Sequence, residues 1–132
     1  MKISVIIPVY NEKHYIDRCL KSLMAQEETP DEVIVVDNNS TDGTTKLVKK
    51  YKIKIIYEKQ QGMIPARNRG FNSASGDIIA RCDADVELPP DWIKKIKYNF
   101  RTYPIDALTG PAIFHNIPFG VFFLRIYTAL LK

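Results

Sequence analysis

The sequence predicts an α/β fold with a mostly parallel central sheet and helices on both faces. Three observations carry that expectation. Short, nearly continuous apolar runs alternate with stretches whose apolar residues recur at helical spacing. The runs end on Asp, Asn or Pro, and the intervening turns are rich in Asn, Asp, Ser, Gly and Pro. Strand and helix alternating along the chain demand right-handed crossovers, hence parallel neighbours.

The elements follow in order. Ile3 to Ile7, closed by Pro8, reads as a strand buried on both faces. From Asn11 the period changes: Ile16, Cys19, Leu20, Leu23 and Met24 form one helical stripe, with Asn11 as the expected cap. Glu32 to Val36 is a second strand ending on Asp37, and Asn38-Asn39-Ser40-Thr41-Asp42-Gly43 leads into a helix over about Gly43 to Tyr51. Ser40 and Asp42 read as helix caps. Ile53 to Tyr57 is a third strand, and Pro65 to Ser75 a short helix with proline in its first turn. Asp77 to Cys82 forms a fourth strand running into Asp83. Pro89-Pro90-Asp91 opens a helix whose Ile93, Ile96 and Phe100 share a face, and Ala107 to Phe114 is expected as a bent fifth strand.

A chain of 132 residues with 45% hydrophobic and 26% charged residues suits one globular domain with a real core. Its formal charge of +4 does not choose among a polyphosphate ligand, an anionic membrane surface and nucleic acid. Cys19 and Cys82 are far apart in sequence and lack metal-ligand spacing, so reduced thiols in the cytoplasm are expected. The apolar run at the N-terminus is too short for a signal-peptide core, and no export is expected. The stretch Phe119 to Leu131 is the most apolar in the chain, yet it is shorter than a membrane span and carries Arg125. It reads as a docked element, an interfacial membrane helix or a surface left by a missing partner.

Chemistry concentrates at the strand ends. Pro8-Val9-Tyr10-Asn11-Glu12 follows the first strand, Asp37-Asn38-Asn39-Ser40 the second and Asp83-Ala84-Asp85 the fourth. In open parallel sheets ligands bind beyond those carboxyl ends. Extended backbone through Asp83-Ala84-Asp85 would point both carboxylates one way and Ala84 the other, giving two hard oxygen ligands for Mn2+ or Mg2+. Such an ion completes its shell with water and substrate phosphates, so the natural third component is a diphosphate. No G-x-G-x-x-G, G-x-x-x-x-G-K-[ST] or G-x-S-x-G occurs, which excludes dinucleotide oxidoreductases, P-loop ATPases and serine hydrolases of the elbow type. A nucleotidyltransferase would carry a glycine-rich loop after the first strand, where this chain has none.

In order, Val5 to Glu12, Val35 to Thr44, Ala66-Arg67-Asn68-Arg69-Gly70 and Asp83-Ala84-Asp85 resemble the motif series of the family 2 glycosyltransferases of GT-A fold. The resemblance covers residues 3 to 114. It implies a Rossmann-like nucleotide-binding region, a divalent metal, and inverting transfer of a sugar from a nucleoside-diphosphate sugar, often a UDP-sugar, with no nucleic-acid partner. By position, Pro8, Tyr10 and Glu12 would line the base and ribose pocket and Asp37 would accept a hydrogen bond from the base. Asn39 and Ala84 fall in the same substrate-binding segments. Arg67 would reach the base or the phosphates, Asp83 would lie near ribose and metal, and Asp85 would be the more direct metal ligand. Asn38 stands where the family often has a second acid.

The resemblance also implies an acceptor-binding half that supplies the catalytic base, and the chain stops near where it should begin. No G-x-N-like segment follows Thr109-Gly110-Pro111, and no acidic residue follows Asp106. The sequence therefore divides into a nucleotide-sugar-binding domain, 1–114, and an apolar tail, 115–132. That tail is either the start of the acceptor half or a segment for peripheral membrane contact or self-association at the cytoplasmic membrane face. A binding module that needs a partner for activity is the alternative.

Overall fold

A computed structural model of the protein describes residues 1–110, which form four strands and four α-helices in strict alternation. In chain order these are β1 (Ile3–Val9), α1 (Ile16–Met24), β2 (Glu32–Asp37), α2 (Thr44–Val48), β3 (Lys54–Tyr57), α3 (Met63–Ser73), β4 (Ile78–Arg81) and α4 (Trp92–Thr102). The strands make one sheet of order β3-β2-β1-β4 with every pairing parallel.

That order determines where the helices lie. The steps β1 to β2 and β2 to β3 run the same way across the sheet, so right-handed crossovers put α1 and α2 on one face, where they contact each other. The step from β3 back to β4 reverses direction and puts α3 on the other face, packed on β1 and β2. Consequently β1 is covered twice: Ile3, Val5 and Ile7 on one side and Ser4 and Ile6 on the other are all fully buried. Under α3, Ile6, Ile34, Val36 and Ala66 form a core cluster against which Ile56, Phe71 and Ala74 pack. Gly70 is what lets α3 approach so closely, because a Cβ there would stand 3.1 Å from Val36 Cγ2 and 3.2 Å from Ile6 Cδ1.

At the amino ends of the strands, Glu32 joins four segments. Its carboxylate accepts from Ser4 Oγ at 2.6 Å, Ser75 N–H and Oγ at 3.0 Å each, and Lys54 Nζ at 3.1 Å. The Ser4 hydroxyl bond, ahead of the other contacts, holds the Glu32 carboxyl at about 2, far below the ordinary value. Ser4 Oγ accepts in turn from Gly76 N–H at 2.8 Å.

Several boundaries differ from the sequence expectation. α1 starts at Ile16, not Asn11, because Asn11 takes a left-handed φ of 55° and spends its side chain on another loop. Met24, expected in the apolar stripe of α1, is exposed at the last turn. The second helix tightens into a 3-10 turn over Lys49–Tyr51, and α3 begins two residues before Pro65, behind Gly62 at φ 136°. β4 ends at Arg81, so Cys82 and Asp83 lie beyond it. In the expected fifth strand, residues 107–110 are not extended into a strand, and 111–114 lie outside the described residues, as does the apolar tail 115–132.

The chain divides into two compact units, Met1–Ile93 and the residues from Lys94 onward. In the first, Ile93 is fully buried and its N–H donates to Gln26 Oε1 at 3.1 Å. In the second, α4 continues to Thr102 and Asn99 Nδ2 donates to Lys95 O one turn back. No helix among the described residues is long and apolar enough to cross a membrane.

Candidate functional site

Strand order reverses between β1 and β4, and open α/β sheets bind ligands at that switch point, beyond the carboxyl ends of the strands. The segments after β1, β2 and β4 meet there. The first two are laced together: Asn11 N–H donates to Ser40 Oγ at 3.1 Å, and Thr41 N–H donates to Asn11 Oδ1 at 2.8 Å. Glu12 N–H reaches Thr44 Oγ1 at 2.8 Å, and Lys13 N–H reaches Asp42 Oδ2 at 3.0 Å. Asp42 also accepts from Thr44 N–H at 2.9 Å, which orders the entry to α2 as a cap would. Ser40, by contrast, serves the β1 loop.

This lacing gathers carboxylates. Burial, and then the fields of Asp85, Asp42 and Asp83, raise the Glu12 carboxyl above its ordinary value. Four acids from three strand ends therefore share one rim. Asp83 and Asp85 are exposed and Ala84 is 3% exposed, so the expected alternation holds in exposure. Its cause differs, since Ala84 and Asp85 lie in a turn and not in extended strand. The turn rests on thiols: Cys19 Sγ donates to Asp83 O at 3.6 Å. Cys19 and Cys82, distant in sequence, are in contact here as free cysteines. The bond with Cys19, then burial, raises the Cys82 thiol well above its usual range, so it is no thiolate nucleophile at neutral pH.

Cations complete the rim. Arg81 Nη1 donates to Asp83 Oδ1 at 2.6 Å, and Arg67 Nη2 stands 4.0 Å from the same oxygen. Arg67 Nε is buried without a hydrogen-bond partner, and burial, then the charge of Arg81, lowers the guanidinium's pKa.

The other expected residues lie at the β1 and β2 ends. Pro8 is half-buried beside Val36, and Tyr10 is exposed. Asp37 is 4% exposed, with Oδ1 accepting from Ser40 N–H at 3.1 Å and Oδ2 from Thr45 Oγ1 at 2.9 Å. A carboxylate keeps further lone pairs beyond those two bonds. Asn39, at φ 66°, donates to Lys59 O and Gln61 Oε1, away from the acidic cluster. Buried Asn38 donates to Glu58 O and Gln60 O at 2.8 Å each and accepts from Gly62 N–H at 2.8 Å. Its amide thus ties β2 to the loop that launches α3 and Arg67.

Two participants were missed in the sequence. Asp42 was read only as a cap, and Arg81 was not singled out, although an arginine closing a buried strand is itself an uncommon placement. A cleft of about 370 Å³ lined by residues including Leu23, Pro30, Glu32 and Lys54 lies at the opposite ends of the strands, away from this chemistry.

The donor chemistry of the rim fits a hard divalent cation. Among the described residues no three His, Cys, Asp or Glu side chains form a complete ion site. Asp83 and Asp85 offer the one or two carboxylates with which magnesium is commonly held, the remaining positions going to water and phosphate.

The family model described as Glycosyl transferase family 2 matches residues 4–128. A Streptococcus pneumoniae protein named Glycosyltransferase GlyA is 31% identical over 130 residues, 95% of this chain and 19% of its own length. The crystal structure of S. aureus TarS 1-349 in complex with UDP-GlcNAc superposes with TM-score 0.71 at 32% identity, covering 80% of this chain and 33% of that one. Glucosyl-3-phosphoglycerate synthase from Mycobacterium tuberculosis, crystallised with Mn2+, UDP and phosphoglyceric acid, gives TM-score 0.71 at 25% identity over 80% of this chain and 41% of that one. The chain thus spans less than half the length of each. With a GT-A-type parallel sheet and a family match over residues 4–128, the chain belongs to glycosyl transferase family 2.

Proposed function

We propose that this chain is the donor-binding part of a metal-dependent, inverting glycosyltransferase that takes a sugar from a nucleoside-diphosphate sugar, most simply a UDP-sugar. The observation that carries the reading is the convergence of Glu12, Asp42, Asp83 and Asp85 on one rim beside Arg67 and Arg81. Acids near enough to raise the Glu12 carboxyl disfavour one another's charge, and a divalent cation would offset that repulsion. Asp85 and Asp83 would hold Mn2+ or Mg2+, and that ion supplies neutralisation of charge on the departing diphosphate. Arg67 contributes a cation aimed at the same rim, while Pro8, Tyr10 and Glu12 would line the base and ribose pocket and Asp37 would accept a hydrogen bond from the base. The UDP-GlcNAc complex of TarS and the Mn2+ and UDP complex of the mycobacterial synthase support the donor and the ion. Cytoplasmic placement accords with the free thiols of Cys19 and Cys82. Contact with a membrane face, or self-association, rests on the apolar character of 119–131 in sequence alone.

UDP with Mn2+ is expected to raise the melting temperature, and Asp85→Ala to abolish that rise. No shift with any nucleoside diphosphate would refute the reading. A second reading is a donor-binding module without transfer activity of its own. Sugar transfer by this chain alone excludes it.

A further inference from the structure

Two guanidiniums address one carboxylate oxygen at the end of β4, and they do so unequally. Arg81 Nη1 holds Asp83 Oδ1 at 2.6 Å, a charge-assisted bond of full strength, whereas Arg67 Nη2 at 4.0 Å is beyond hydrogen-bond range. Their common position follows from the sheet. Arg81 is in register with Ile6, so its side chain leaves on the face that α3 covers, and α3 carries Arg67. The Arg81 side chain is 13% exposed, against 32% for Arg67. Arg67 Nε, buried and without a hydrogen-bond partner, is a donor lacking an acceptor, and such groups are costly unless a ligand satisfies them.

We infer that Arg81 is a positioning residue: by holding Asp83, it keeps Arg67 from closing onto that carboxylate and so leaves the Arg67 fork available to an anionic ligand at the rim. This rests on the donor-binding reading and names how its cationic side is kept open. Without Arg81, Asp83 becomes the natural partner of Arg67, because a carboxylate and a guanidinium this close form a bidentate pair when nothing competes. A nucleoside diphosphate would then have to break that pair in order to bind.

The test is a double-mutant cycle on the 132-residue chain, titrating UDP calorimetrically with and without Mn2+. Arg81→Ala in the otherwise unchanged protein is expected to weaken UDP binding about tenfold. In an Arg67→Ala background the same change is expected to alter affinity less than about twofold, because there is no fork left to protect. Arg81→Lys, which keeps the charge and one hydrogen bond, recovers part of the loss. Affinity unchanged in Arg81→Ala, or a loss of equal size in both backgrounds, overturns the inference; the second result marks a field or fold effect. If Arg81→Ala does not fold, Arg81→Lys and Arg81→Gln carry the cycle under the same criterion. Wild-type protein that binds no UDP under either condition overturns the donor-binding reading and this inference with it, whereas binding without coupling overturns this inference alone.

Discussion

At the residue scale, Asn38 shows why a position that resembles part of an acidic motif carries an amide. Its Nδ2 satisfies two carbonyls and its Oδ1 a third group, and only an amide does both. Asn38→Asp replaces two donated bonds by repulsion between a carboxylate and two carbonyls. It is expected to cost about 1–3 kcal/mol of stability, measurable as a lower midpoint in urea unfolding. Single residues were unevenly legible in the sequence. Asp83 and Asp85 could be found because they follow an apolar run, and Glu12 because it sits in a recognisable motif. Arg81 and Asp42 could not, because their roles come from residues on other elements: Asp42 accepts from Lys13 N–H in the β1 loop, and Arg81 shares an oxygen of Asp83 with Arg67 of α3. Asn11 was misread for the same reason, its cap chemistry being used across two loops instead of at a helix start.

At the element scale, the join between α3 and β4 leaves no room for a side chain at Gly76. A Cβ on Gly76 would stand 2.7 Å from the backbone nitrogen of Ser4, which cannot move without disturbing β1. Gly76→Ala is expected to lower stability by about 1–3 kcal/mol, read by thermal or urea unfolding. The Glu32 network beside it gives a pH signature. Because the folded carboxyl lies at about 2, below its unfolded value, its contribution is complete above about pH 4.5 and is lost as pH falls toward about 2. Glu32→Gln should therefore lower stability at neutral pH and flatten the stability curve over that acid range. Strand positions were legible because buried parallel strands are short apolar runs. Helix boundaries were not, since Gly62 and Gly43 set the starts of α3 and α2 through left-handed backbone rather than through apolar period.

At the scale of the whole molecule, alternation predicted parallel strands, but nothing in the sequence alone chose the order β3-β2-β1-β4, which depends on which edges the crossovers reach. The order makes β1 the protected centre and β3 a partly exposed edge. Hydrogen exchange is expected to find amides of Val5 to Ile7 opening only with global unfolding, and those of β3 exchanging sooner. Equal protection in both strands would contradict the topology. The lacing of Asn11, Glu12 and Lys13 to Ser40, Thr41, Thr44 and Asp42 has a consequence for motion. Two loops stitched by four hydrogen bonds form a single stiff lip, so under the proposed donor-binding role a nucleotide would meet a floor that is already built. Under the proposed donor-binding role, release of a diphosphate would then be expected to involve the turn that carries Asp83 and Asp85 rather than this lip.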